Sequence, residues 1–218
     1  IKLDNIMMVN QDSAPYKIKL IDFGMAMDSW DMELGTALQI VPFRAPEVSL
    51  GLPLGVSADM WAIGMVLASL YFGRLPFTYD EEYDTLRCVV KWLGLPQETL
   101  LNKGLFSRDF FTFDKDCSQP GWRMNSPDEY SEITREAVRR LNNIPDLEEM
   151  KNIHKKMYDL FDDDDHRAFL NLLKNMLDLD PRQRITPSQA LDHDFITMRH
   201  LSDSGHQGGK KNKQKMFF

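Results

Sequence analysis

The apolar positions along the chain change period several times, and each change marks an element. Asn5-Ile6-Met7-Met8-Val9 is a short apolar run, and Lys17-Ile18-Lys19-Leu20-Ile21 alternates polar with apolar. Alternation with period two is the pattern of a half-buried strand. Asn10-Gln11-Asp12-Ser13-Ala14-Pro15 between them is turn chemistry. The pattern predicts a polar loop, a strand, a turn and a second strand within residues 1–24. A hairpin sets its outer ends side by side, so Lys2 and Asn5 are expected close to Asp22. An amine, an amide oxygen and a carboxylate converging on one spot suit a metal-bound phosphate, because hard cations take oxygen ligands.

No clean period runs from Met25 to Arg44, which predicts a long loop. Ala45-Pro46-Glu47 opens a short helix that Gly51-Leu52-Pro53 ends. Ser57 reads as an N-cap, with the Asp59 carboxylate complementing the dipole of the helix that follows. Residues 58–72 are apolar on nearly every face, which predicts a buried central helix ended by Gly73. A carboxylate at the start of a buried helix needs partners, so Asp59 is expected to be paired. Residues 80–93 form an amphipathic helix ended by Gly94 and Pro96, and residues 101 to about 128 read as loop. Phe106, Phe110, Phe111, Phe113 and Trp122 in that loop are expected to be packing anchors.

Helices are predicted over 130–141 and 147–161. The acid run 162–165 reads as a solvated helix start, before a helix with Phe169, Leu172, Leu173, Met176 and Leu177 on one face. Thr186 is an N-cap with Pro187 at the first helical position. His193 reads as a packed or capping residue rather than a ligand.

With 218 residues, 43% hydrophobic and 27% charged, the composition is that of a soluble globular domain. The longest apolar stretch, residues 60–72, is broken by Gly64 and Ser69 and is too short to span a bilayer. No signal peptide is read at the N-terminus. Cys88 and Cys117 make neither a disulfide framework nor a metal spacing, which suits a reducing compartment. The net charge of −7 is uneven: four lysines (Lys210, Lys211, Lys213, Lys215) stand after Ser204 with no acid, leaving 22 basic against 33 acidic residues in the body. An acidic body excludes general nucleic-acid binding by the folded part. Residues 202–218 read as a basic, solvated, disordered tail.

Four short motifs change what the opening hairpin means. Asp22-Phe23-Gly24 is followed by Ala45-Pro46-Glu47 and by Asp59-Met60-Trp61-Ala62-Ile63-Gly64. Lys2-Leu3-Asp4-Asn5 matches the end of the pattern H-R-D-L-x-x-x-N. In this order and spacing they resemble the C-lobe of a eukaryotic protein kinase, and within it the homeodomain-interacting protein kinase family of the CMGC group. Further support comes from Leu50-Gly51-Leu52-Pro53, Gly94-Leu95-Pro96, Trp122-Arg123 with Ser126-Pro127-Asp128, Arg184-Ile185-Thr186-Pro187 and Phe195-Ile196-Thr197-Met198.

The resemblance implies an α+β kinase fold, of which residues 1–201 would be the mainly helical C-lobe with a short N-terminal β-hairpin. Residues 22–47 would be the activation segment and about 101–165 a CMGC-like insert. It implies serine/threonine phosphoryl transfer from ATP to protein substrates with Mg2+, in a protein of the nucleus or cytoplasm with transcription-regulating partners. Asp22 and Asn5 would be metal ligands, Lys2 would neutralise the transferring phosphoryl group, and Met7 and Ile21 would floor the adenine site beside Asp22. Glu47 would pair with Arg184, and Asp59 would hold the catalytic loop. The family's catalytic Asp would fall just before Ile1, so this stretch alone is expected to be inactive.

The chain also departs from the pattern. Ala37 stands where the family has its activating tyrosine, Val41 where it has the arginine that answers the phosphate, and Phe43 replaces a tyrosine. Ile40 stands where Ser/Thr kinases carry a hydroxyl, and Gly35-Thr36 lies too far upstream to serve. These losses are expected to leave no charge pair for ordering the loop. Weak, loop-independent activity or none is therefore expected of the intact protein. Two function classes stay open: an enzyme, or a pseudokinase-like module that binds partners without transferring phosphate.

Overall fold

A computed structural model of the chain describes residues 1–76, 81–115, 118, 120–138 and 163–203. A 3-10 turn over Leu3–Asn5 leads into β1 (Ile6–Asn10), which pairs antiparallel with β2 (Ala14–Leu20). Ile6 lies opposite Leu20, Met7 opposite Lys19 and Met8 opposite Ile18. The Asn10 side chain shapes the turn, its oxygen accepting from the Asp12 and Ser13 amides at 2.9 Å each. The hairpin is where its pattern predicts it, but neither face is half-buried. Met7, Met8, Ile18 and Leu20 are all exposed, because burial of a strand face needs a second layer and only the hairpin's base, through Ile1, Leu3 and Ile6, packs on the core.

The core is helical. After the loop of residues 21–45, α1 (Pro46–Ser49) is fully buried, and the central α2 (Ser57–Phe72) carries buried Met60, Trp61, Ala62, Met65, Val66 and Ala68. Its all-round apolar composition lets it meet neighbours on most sides; Leu70 is the exception, exposed near its end. α2 packs on α7 (Asp163–Met176), whose Phe169, Leu172, Leu173 and Met176, with Leu177 beyond, are buried as predicted. Gly64 permits the close crossing, since a Cβ there would lie 2.8 Å from Leu177 Cδ2. α3 (Glu82–Leu93) buries Tyr83, Leu86, Val89 and Trp92 and ends at Gly94.

Three expectations are corrected. Ser57 is the first residue of α2 rather than its cap, a place taken by Val56 without a side-chain bond. Asp59 is exposed and its carboxylate has no hydrogen-bond partner among the described residues; in water it suffers no desolvation, so nothing forces it to pair. Residues 101–128 are not loop throughout. α4 (Glu98–Leu101) and α5 (Ser107–Phe110) lead into a second hairpin, β3 (Phe111–Asp114) and β4 (Gly121–Met124). Strands of four residues carry too little periodicity to read alone; tertiary contacts hold them. Asn125 is 2% exposed: its carbonyl accepts from Tyr83 Oη at 2.6 Å, its Oδ1 from Thr112 Oγ1 at 2.7 Å, and its Nδ2 donates to the Asp109 carbonyl at 3.0 Å. The aromatics are anchors as expected, with Phe110 stacked on Tyr130 and Phe113 edge-on to Trp122.

Ser126 then caps α6 (Pro127–Thr134) through a reciprocal capping box with Glu129. The predicted helix over 130–141 stops at Thr134; residues 202 and 203, read as the start of a disordered tail, are helical, and 147–161 and 204–218 lie outside the described residues. Thr186 caps α8 (Pro187–Leu191) with Gln189, and His193 caps α9 (Asp194–Thr197), accepting from the Phe195 amide at 3.1 Å. α10 (His200–Asp203) ends the described chain.

Arg184 closes this core on Glu47. Both side chains are 0% exposed, with Nη1 donating to Oε1 at 2.5 Å and Nη2 to Oε2 at 2.8 Å. Arg184 also donates to the Ser57 carbonyl at 2.9 Å and the Asp178 carbonyl at 3.0 Å, and lies 5.2 Å over the Trp61 ring. Removing one partner of such a pair strands a buried charge, so Arg184→Ala should lower unfolding free energy by about 3–5 kcal/mol in urea titration. A change below roughly 1 kcal/mol would mean that the pair behaves as a surface contact. At the surface, Arg123 forks onto Glu129 at 2.6 and 2.8 Å. Those bonds, then the Ser126 amide, pull the Glu129 carboxyl down to about 2. Its contribution is complete above its ordinary range, roughly pH 4.3, and is lost as pH falls toward 2. Glu129→Gln should flatten that limb of a stability–pH profile.

Candidate active site

The first hairpin brings its two ends together as the sequence predicts. The Ile21 amide donates to the Asn5 carbonyl at 2.9 Å, closing the ladder one residue past the strands. Asn5 Nδ2 donates to Asp22 Oδ2 at 3.3 Å across a separation of seventeen residues. Asp22 takes a left-handed backbone, φ 60°, and its Oδ1 accepts from the Gly24 amide at 3.3 Å. A non-glycine residue there is uncommon and tolerable for Asp, whose short carboxylate can bond locally. The result is an exposed carboxylate held from both sides at the mouth of the hairpin.

Side chains alternate across strands, and the register makes Asn5 the opposite number of Ile21 and Met7 that of Lys19. Asn5, Met7, Lys19 and Ile21 therefore share one face. Met7 and Ile21, half exposed at 50% and 42%, form an apolar strip beside the Asn5–Asp22 contact. Lys2 Nζ lies 3.9 Å from Asp4 Oδ2, a contact between a partly exposed amine and an exposed carboxylate. Of the five predicted residues, the fold gathers Asn5, Asp22, Met7 and Ile21 on one side of the hairpin and leaves the Lys2 amine with Asp4.

Oxygen is what this site offers a cation, through the Asp22 carboxylate and the Asn5 amide. No cluster of three or more His, Cys, Asp or Glu side chains among the described residues could hold a metal by itself. Such a sparse set fits Mg2+, which keeps water and phosphate oxygens and takes only one or two protein ligands; it does not fit a caged structural metal.

The segment after the hairpin is anchored at its far end by residues that sequence reasoning passed over. Gln39 has φ 64°, which turns its carbonyl toward Arg44. Arg44 donates through Nε and Nη2 to that carbonyl at 3.3 and 3.0 Å and through Nε to the Leu38 carbonyl at 3.0 Å. Its Nη1 lies 3.0 Å from Glu82 Oε1 at the start of α3. The Gln39 side chain donates to the Ala58 carbonyl and accepts from the Ala45 amide, both at 2.9 Å. The expectation that no charge pair orders this loop is therefore corrected: Arg44–Glu82 is one, formed by residues far apart in sequence. Arg44 could be suspected from its place before Ala45-Pro46-Glu47; nothing in the sequence marks Gln39 or Glu82. Thr36 is spent locally, its hydroxyl donating to the Glu33 carbonyl at 2.8 Å, while Ile40 is exposed.

A model of the protein kinase domain matches residues 1–196. The chain is 37% identical to homeodomain-interacting protein kinase 2 of Mus musculus, over 97% of this chain and 18% of that protein. It is 32% identical to homeodomain-interacting protein kinase 1 of Caenorhabditis elegans, over 93% of this chain and 26% of that protein. To homeodomain-interacting protein kinase 4 of Homo sapiens it is 30% identical, over 92% of this chain and 35% of that protein. The chain thus spans about a fifth to a third of the curated relatives it matches.

Gln39→Ala removes both side-chain bonds of the clamp while keeping the backbone. It should cost about 1–3 kcal/mol and speed hydrogen exchange at the Ala45 amide, which loses its acceptor. Unchanged exchange at Ala45 would show that Gln39 does not hold the segment.

Proposed function

The chain belongs to the protein kinase domain family, and on that premise we propose that it forms the mainly helical lobe of a serine/threonine kinase resembling homeodomain-interacting protein kinases. In the whole protein the reaction moves the γ-phosphoryl group of ATP to a Ser or Thr hydroxyl of a protein substrate. The bond from phosphorus to the ADP oxygen breaks as the bond to the substrate oxygen forms. In this family the hydroxyl proton passes to a catalytic-loop Asp. Such chemistry asks for positioning and charge neutralisation rather than covalent help from the protein.

The observation that carries this reading is the Asn5–Asp22 contact at 3.3 Å on one end of the hairpin. Asp22 and Asn5 would hold Mg2+, which when bound neutralises phosphate charge. The Met7–Ile21 strip beside them suits the flat apolar face of adenine. Lys2 reaches a phosphoryl oxygen by exchanging the weak Asp4 contact for a stronger partner. Residues 22–47 serve as the activation segment, anchored by Arg44 and Gln39 instead of a phosphate. A proline preference is common in the CMGC group, and Val41 at the position of the group's arginine argues against it here. A nuclear or cytoplasmic setting and transcription-regulating partners accompany this reading; no helix among the described residues is long and apolar enough to cross a membrane.

A second reading, a pseudokinase that binds partners without phosphoryl transfer, draws on Ile40. Its side chain is 46% exposed where Ser/Thr kinases carry a hydroxyl. Phosphate transfer by the full-length protein with ATP and Mg2+ separates the two. Asp22→Asn should lower turnover by roughly a hundredfold or more with the protein still folded. Turnover indifferent to Asp22→Asn and Asn5→Ala would defeat the site assignment, and no turnover by the intact protein would favour the binding module.

A further inference from the structure

The described chain ends on α10, which is seated against α7 with His200 at the contact. The His200 side chain is 11% exposed, and both of its ring nitrogens face oxygen. Nε2 lies 2.6 Å from Asp165 Oδ1 on α7, and Nδ1 lies 3.0 Å from the Asp194 carbonyl on α9. The ring also stacks on Phe195 of α9, with 6.3 Å between centroids and 16° between planes. One side chain thus joins the last short helix to two others.

A backbone carbonyl can only accept a hydrogen bond, and so can an ionised carboxylate. A neutral imidazole has one N–H and one lone pair, so it satisfies one of these oxygens and turns its lone pair on the other. The imidazolium donates to both. His193 gives the contrast: its Nδ1 accepts from the Phe195 amide and its Nε2 faces Asn171 Oδ1 at 2.8 Å, a donor and an acceptor that a neutral ring fits. Among the described residues, the charges around His200 are Asp165 and Asp164 on α7, Asp194 on α9, and Arg199 beside it in the chain. Arg199 is engaged by the Asp194 and Asp192 carboxylates, and Arg167 by Asp164. Burial works against a charge on His200, yet the bonds to Asp165 and the Asp194 carbonyl outweigh it and raise the pKa above its ordinary value.

We propose that His200 is a proton-operated latch, which holds α10 on α7 and α9 as the imidazolium and releases it as the neutral ring. Residues 204–218, with Lys210, Lys211, Lys213 and Lys215, follow directly on α10, so the latch sets the point from which that basic stretch leaves the body. A group bound more tightly as the cation contributes fully below its ordinary range, about pH 6.5. That contribution is lost as pH rises through the higher folded value. The latch is independent of phosphoryl transfer and stands or falls without it.

The test is amide hydrogen exchange, read by NMR on the whole chain in steps between roughly pH 5.5 and 8.5, either side of the imidazole range. Protection factors remove the intrinsic pH dependence of exchange and report local opening. The Leu201 amide, which donates to the Met198 carbonyl at 3.2 Å, reports α10, and the Leu177 amide, which donates to the Leu173 carbonyl at 2.9 Å, reports the core. Leu201 protection should fall about tenfold across the series while Leu177 keeps its own. His200→Gln should hold Leu201 at the low value throughout, and Asp165→Asn should move the midpoint of the fall to lower pH. Leu201 protection indifferent to pH, an equal fall in His200→Gln, or an unmoved midpoint in Asp165→Asn would overturn the latch. So would a parallel fall at Leu177, which would make the transition an unfolding of the core. The ring-proton titration of His200 in the parent chain needs no variant: its midpoint should lie above about 6.5, and one at or below that value would also defeat the proposal.

Discussion

The buried pair of Glu47 and Arg184 is the constraint on which the remaining structure depends. It joins residues separated by 137 positions, tying α1 to the loop beyond α7. A charge withdrawn from water is tolerated only with its counter-charge and with its other hydrogen-bonding atoms satisfied. Arg184 meets that condition through two carboxylate oxygens, two backbone carbonyls and the face of Trp61. Few arrangements of α1, α2 and the 178–184 loop satisfy all of them at once. The pair therefore specifies geometry more than it adds stability, since a well-packed apolar substitute could be as stable.

From that fixed point a chain of contacts runs outward. α1 and α2 are held, and the Ala58 carbonyl and Ala45 amide at their starts in turn hold Gln39. Gln39 and Arg44 settle the last turn of the 21–45 loop, and Arg44 reaches α3 through Glu82. In the stretch before it, Phe23, Met25 and Trp30 are exposed. The opening hairpin is coherent in itself, through its ladder and the Asn5–Asp22 bond, yet its apolar side chains face water.

The same order of events explains which parts of the site were legible. Asn5 and Asp22 could be placed together because a hairpin's register is local and its ends must meet. Lys2 was expected beside them, and its amine lies 3.9 Å from the Asp4 carboxylate. Asp59 was expected to be paired, and its exposure removed the need. Gln39 and Glu82 left no trace in periodicity, because each draws its meaning from elements distant in the chain.

What the sequence determined by itself were the features whose causes are local. The all-round apolar run became the central helix, glycines ended α2 and α3, Thr186 capped its helix, and the face of Phe169, Leu172, Leu173 and Met176 became the seam against α2. The Glu47–Arg184 pair was legible only through resemblance. Tertiary structure alone decided the β3–β4 hairpin, whose short strands depend on Asn125 and its three partners, and the clamp of Gln39 and Arg44. It also decided that the first hairpin stays exposed. In each case the deciding energy is desolvation or its absence, which depends on what lies across the gap in space and not on what comes next in the chain.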